Sequence, residues 1–217
     1  MSPIVTTELA RPARRWSRVL TAVALTAAVS TGTAVTGVTS AHASTRVSRT
    51  IPVGHGAYGV AFTPQGTQAY VTNYNDNTVS VITVSTGRVT KTIPVGRNPV
   101  AVAINPQGTQ AYVTTYDNTS DESLHGTVSV IAVSTGRVSR TIPVGRYPQG
   151  VAFNPQGTQA FVTNFGDNTV SVITVSTGKV SQTITDGNSP REVAFNPRGT
   201  QANDANFSEG TVSVIQP

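Results

Sequence analysis

One phrase returns four times along this chain of 217 residues. It reads TPQGTQAYVTN from Thr63, NPQGTQAYVTT from Asn105, NPQGTQAFVTN from Asn154 and, altered, NPRGTQANDAN from Asn196. A second phrase, IPVG, begins at Ile51, Ile93 and Ile142, with a variant ITDG at Ile184, so the steps are 42, 49 and 42 residues. A period of this size means that one supersecondary unit recurs and buries its apolar surface against its neighbours.

The unit has no helical spacing. It is rich in Val, Thr, Ile and Tyr, and apolar and polar residues alternate between Gly, Pro and Asn punctuation, which is the pattern of short strands. The first copy divides into strand a (Tyr58 to Thr63), strand b (Gln68 to Asn73), strand c (Thr78 to Val84) and strand d (Arg88 to Val95). Pro64-Gln65-Gly66 turns a into b, since proline presets the first turn dihedral and glycine closes the turn. Strand c carries Val79 and Val81 on one side and Ile82 on the other, as a strand packed on both faces does. Four antiparallel strands in a period of about 40–45 residues describe the blade of a β-propeller. The fold class is all-β: a propeller of about four four-stranded antiparallel blades, with repeats near 51–92, 93–141, 142–183 and 184–217.

The two ends of the array are complementary. STRVSRTIPVG at Ser44 to Gly54 matches STGRVSRTIPVG at Ser134 to Gly145 less one glycine, so it reads as a strand d without a, b or c. GTVSVIQP from Gly210 reads as a strand c without a d. The N-terminal strand is expected to close the C-terminal blade and leave no open edge; the alternatives are a homodimer forming an eight-bladed ring, or a fragment of a longer gene. In the fourth copy Asn203-Asp204 stand where the others have Tyr70-Val71, Tyr112-Val113 and Phe161-Val162. Neighbours on a strand point to opposite faces, so at least one of these polar residues is expected on a packed surface, and this blade is expected to be the loosest.

AYVTN at Ala69 to Asn73, with NTVSVI and STGRV behind it and IPVG between copies, resembles the YVTN-type (YncE-like) β-propeller repeat of bacterial exported proteins and archaeal surface-layer proteins. The resemblance runs from about Val47 to Ile215. It implies a radial propeller in which the first strand of each blade lines the central channel.

Arg11, Arg14, Arg15 and Arg18 precede an apolar segment, Val19 to Val29, and Ala41-His42-Ala43 has the form of a cleavage site. Residues 1–43 therefore read as a cleaved signal peptide, the propeller as 44–217 and the protein as secreted, extracellular or at the cell surface, with no membrane span once the signal is gone. Without the signal, the formal charge of +5 falls to +2, from eleven Lys/Arg against nine Asp/Glu. That small excess, with no basic stripe, argues against a nucleic-acid partner. The chain contains no cysteine, which excludes disulfides, thiolate metal sites and attached c-type haem.

The turns from a to b and from c to d are nearly constant between copies. The d-to-a connections vary: GHGAYG, GRNPVA, GRYPQG and GNSPRE. With the b-to-c loops they emerge on one face, where His55, Tyr58, Arg97, Asn98, Arg146, Tyr147, Asn188 and Arg191 form the candidate ligand site. Its arginines and tyrosines suit an anionic or sugar-like partner. Asp117, Asp121, Glu122 and His125, in the insertion of the second copy, are oxygen and imidazole donors, but their spacing matches no calcium loop. No nucleophile elbow, zinc helix or phosphate-binding glycine loop is present, so no catalytic residue, cofactor or metal is assigned. The reading is a non-enzymatic binding or scaffolding protein whose partner is an extracellular protein, cell-wall glycan or surface polymer. The alternative, implied by some propellers that resemble this one, is a lyase or a quinone-dependent amine dehydrogenase-like subunit with its site at the channel mouth.

Overall fold

The alternating repeats fold into fifteen strands among the described residues, 45–116 and 125–217 of a computed structural model. The first antiparallel sheet takes β1 (Ala57–Phe62), β2 (Gln68–Asn73), β3 (Thr78–Thr83) and β4 (Arg88–Pro94) in chain order. The second takes β5 (Val102–Ile104), β6 (Gln110–Thr115), β7 (Thr127–Ala132) and β8 (Arg137–Pro143). The third takes β9 (Pro148–Phe153), β10 (Gln159–Asn164), β11 (Thr169–Thr174) and β12 (Lys179–Thr185), and the fourth β13 (Pro190–Phe195), β14 (Ala202–Asn206) and β15 (Thr211–Ile215). All four sheets are propeller blades. Val47–Pro217 forms one compact unit; of the other, through Arg46, only Thr45 and Arg46 are described. The signal-peptide reading of residues 1–43 lies outside the described residues.

The innermost strands β1, β5, β9 and β13 neighbour one another in that order. Each of the first three blades turns one apolar face to the blade after it. Tyr70, Val79, Val81 and Ile93 pack against Val102, Ala111, Val113 and Ile131 of the second blade. Tyr112, Val128, Val130 and Ile142 pack against Ala160, Val162 and Ile173 of the third. Phe161, Val170 and Val172 meet Val193, Ala202 and Ile215 of the fourth. Aromatic rings anchor the last two seams, Tyr112 on Phe153 at 4.7 Å between centroids and Phe161 on Phe195 at 4.8 Å.

A hydroxyl crosses each seam as well. Thr72 Oγ1 donates to the Val100 carbonyl at 2.7 Å, Thr114 Oγ1 to that of Gln149 at 2.8 Å and Thr163 Oγ1 to that of Arg191 at 2.7 Å. Each of these oxygens also accepts a backbone N–H from its own blade, those of Gly59, Ala101 and Gly150. The last residue of the phrase holds the strand behind it: Asn73 Nδ2 donates to Thr78 and Ser80, and Asn164 Nδ2 to Thr169 and Ser171.

The expected closing strand is not in place. The fourth sheet has three strands, and Thr45–Thr50 lies in no strand and is exposed. The reason is packing: the first and fourth blades do not cover one another. Val60 and Phe62 of β1 are 62% and 59% exposed, and Val212 and Val214 of β15 are both 59% exposed, whereas Val79 and Val81 at the corresponding places are buried. The polar pair of the fourth copy divides as expected, with Asn203 exposed and Asp204 fully buried.

Candidate functional site

The four varied connections have one backbone feature in common. Their third residues, Gly56, Asn98, Tyr147 and Ser189, all have left-handed φ values, 70°, 44°, 48° and 61°. A tyrosine held at positive φ is strained relative to glycine or asparagine, and Tyr147 is the bulky residue placed there.

The residue before that position is a latch to the neighbouring b-to-c loop. His55 N and Nδ1 approach the Asp76 carboxylate at 2.8 and 3.1 Å. Arg146 N and Nε donate to Asp167 at 2.8 and 2.6 Å, and its Nη2 to the Gly166 carbonyl at 3.0 Å. Asn188 Nδ2 donates to Glu209 Oε1 at 2.6 Å. These contacts shift the acids: the backbone N–H of His55 holds Asp76 below the usual carboxylate range, and Asp167, although partial burial opposes it, is also held low by the Arg146 donors. In the second copy the Arg97 carbonyl accepts the Tyr116 N–H, and Asn98 N donates to Asn77 Oδ1.

Three of the eight candidate residues converge. Tyr58, Tyr147 and Arg191 line a cavity of about 360 Å³ together with Tyr116, Gln149 and Phe165. His55, Arg97, Asn98, Arg146 and Asn188 do not line it. Tyr116 is the hub: its ring meets Tyr74 at 6.2 Å and Tyr147 at 5.3 Å, both edge-on, and its hydroxyl lies 3.1 Å from that of Tyr74. Tyr58 extends the row, 6.3 Å from Tyr74. Arg191 carries its guanidinium 4.0 Å from the Phe207 ring centre and 5.5 Å from that of Phe165, an attraction between a cation and an aromatic face. Burial, reinforced by the hydrogen bond with Tyr74, pushes the Tyr116 hydroxyl far above its ordinary pKa, so it stays protonated and can donate.

Tyr74, Tyr116, Phe165 and Phe207 were not among the sequence candidates, although the signal was there. An aromatic residue follows strand b in all four copies. Constancy made these positions look like framework, whereas Tyr116 and Phe165 line the cavity and Tyr74 and Phe207 pack against its lining residues. In the insertion, Asp117, Asp121 and Glu122 lie outside the described residues, and His125 lines a different cleft beside Asp167. Among the described residues no group of three or more His, Asp or Glu side chains could hold a metal ion.

No protein-family model and no curated protein matches the sequence. Among solved structures the chain is similar to hydrazine synthase of Kuenenia stuttgartiensis, with a TM-score of 0.63 and 21% identity over 80% of this chain. The chain spans about half of that relative's length, 53%. At this identity the likeness is one of fold, and it supports the propeller class. The YVTN resemblance rests on the repeated phrase alone.

Proposed function

We propose that this protein is a secreted, non-enzymatic binding propeller whose aromatic mouth holds an extracellular glycan bearing acidic groups. The observation that carries this reading is the cavity formed by Tyr58, Tyr116, Tyr147, Phe165, Gln149 and Arg191. Aromatic faces bury the apolar faces of sugar rings at low conformational cost, and polar groups at the edge fix orientation. The protonated Tyr116 hydroxyl and the Gln149 amide serve sugar hydroxyls. Arg191, already seated over two rings, offers its planar donor edge to a carboxylate. The described lining offers aromatic faces, an amide and a guanidinium, groups that hold a ligand.

Calorimetric titration with uronic-acid oligosaccharides and with neutral oligosaccharides of the same length tests this. The acidic set is expected to bind more tightly. Tyr116→Ala should weaken both sets by about tenfold or more, as expected for loss of an aromatic contact of about 1.5 kcal/mol or more. Arg191→Gln should remove the preference for acid. Failure of both sets to bind the folded chain would overturn the proposal.

A further inference from the structure

Arg46–Pro52 reads RVSRTIP, residue for residue the sequence of β8. In β8 this strand pairs with β7 along its whole length, and Ile142 is buried. At the N-terminus the same residues have no such cover: Val47 is 85% exposed and Ile51 is half-buried. Yet the segment is already positioned as an outer strand. Lys91 of β4 donates to the Thr135 carbonyl in the c-to-d turn of the next blade, and Arg140 of β8 does the same to Thr177. Arg49, in the same place within its strand, donates to the Thr86 carbonyl in the corresponding turn of the first blade at 2.9 Å. The Arg49 contact therefore sets Val47–Pro52 where strand d of a blade preceding the first would lie.

The fourth blade supplies the complement. β15 has no strand on its outer edge, and a cleft of about 430 Å³ lies between residues of β12, including Gln182 and Ile184, and Ser213–Gln216. Its free face presents Val212 and Val214, while the free face of β1 presents Val60 and Phe62. These are the places of Val79 and Val81 and of Val102 and Ile104, which bury one another between the first and second blades.

We propose that two copies of this chain pair head to tail, Arg46–Pro52 of each adding as the fourth strand to β15 of the other, so that two open arcs close into one ring. In a ring of two, a two-fold axis relates the two seams, Arg46–Pro52 of each copy meeting β15 of the other, and no edge is left open. Pairing between copies needs no movement of Arg46–Pro52, whereas closure within one chain would have to bring together two blades that stand apart. The seam lacks two features of the internal ones: Asn203 replaces the aromatic residue and Ala205 the threonine. The association is therefore weaker than an internal blade contact and depends on concentration.

The chain has no cysteine, which makes a cross-linking test specific. The β7–β8 register sets Ser129 opposite Thr141, so Ser213 of one copy should oppose Thr50 of the other. Full-length Thr50→Cys and Ser213→Cys variants, mixed and mildly oxidised, are expected to form a covalent pair that neither forms alone. The parent chain is expected to have the mass of two copies by light scattering. Val212→Asp, at a position exposed in the single chain, should loosen the pair by about tenfold or more with an unchanged circular dichroism spectrum. A single-chain mass at every concentration, no cross-link on mixing, or a bond formed only within the doubly substituted chain would overturn the proposal.

Discussion

Thr72, Thr114 and Thr163 each place one hydroxyl between a backbone N–H of their own blade and a carbonyl of the next. Replacing such a threonine by valine keeps the shape and leaves both backbone groups unpaired in a buried seam, which costs about 1–3 kcal/mol. Thr163→Val is therefore expected to lower the thermal midpoint by roughly 2–10 °C, with Thr163→Ser recovering most of the loss; equal losses in the two variants would show that the hydroxyl is not the link. Asp204 makes the opposite case. Its carboxyl oxygens and Asp186 Oδ2 are buried without conventional partners. Burial raises its pKa to about 8, and hydrogen bonding with Asp186 and the charges of Asp186 and Glu192 push the same way. A proton on Asp204, donated to Asp186, pairs one oxygen of each group. Because the folded pKa lies above the unfolded value of about 3.9, the folded chain binds the extra proton between these limits, and stability falls as pH rises from about 4 to about 8. Asp204→Asn, which keeps a donor without the charge, should raise the midpoint at pH 8 and change it little at pH 4. A pH-independent difference between the two proteins would remove the shared proton from the account.

The connecting loops share a left-handed third residue and vary in side chain, and this separates what the sequence discloses from what it hides. Repeat period, strand order and the two-faced packing of strand c were all legible, because they follow from alternation and turn residues. Three of the eight candidates, Tyr58, Tyr147 and Arg191, line the cavity and were legible because they vary. The five others vary too, but at positions where loop-to-loop latches form; a latch and a ligand contact look alike in one sequence, since both use polar side chains beside glycine and proline. The constant aromatics after strand b were hidden for the reverse reason. Tyr147 can be tested on both counts. Glycine at its left-handed φ of 48° relieves a cost of about 1–2 kcal/mol and forfeits an edge contact with Tyr116 of about 0.5–1.5 kcal/mol. Tyr147→Gly should thus leave stability nearly unchanged, while Tyr147→Ala, which loses the ring without relieving the backbone, should be less stable by about 1 kcal/mol. Both should lose glycan affinity equally. If the alanine variant is as stable as the glycine one in urea unfolding, the positive φ is not a strained feature of this loop.

Across the whole propeller, stability should follow how many faces of each blade are covered. The second and third blades are packed on both sides, and Val113, Val128, Val130, Ala160, Val162 and Val170 are all fully buried. The first blade lacks cover on the side of Val60 and Phe62 and the fourth on the side of Val212 and Val214, where burial would remove apolar side chains worth about 1.5–3 kcal/mol each from water. The fourth also carries Asp204 within its covered face and lacks an outer strand. Local opening follows buried contact and hydrogen bonding, so amide exchange at low protein concentration should be slowest in β6 and β10, faster in β2 and fastest in β14. Raising the concentration should then slow exchange in β15 and Arg46–Pro52 together, because the same seam covers both, and leave β6 and β10 unchanged. Equal protection of β14 and β10 at low concentration would mean that the fourth blade is not the weak end of the array, and that Asn203 and Asp204 are accommodated by the fold without loss.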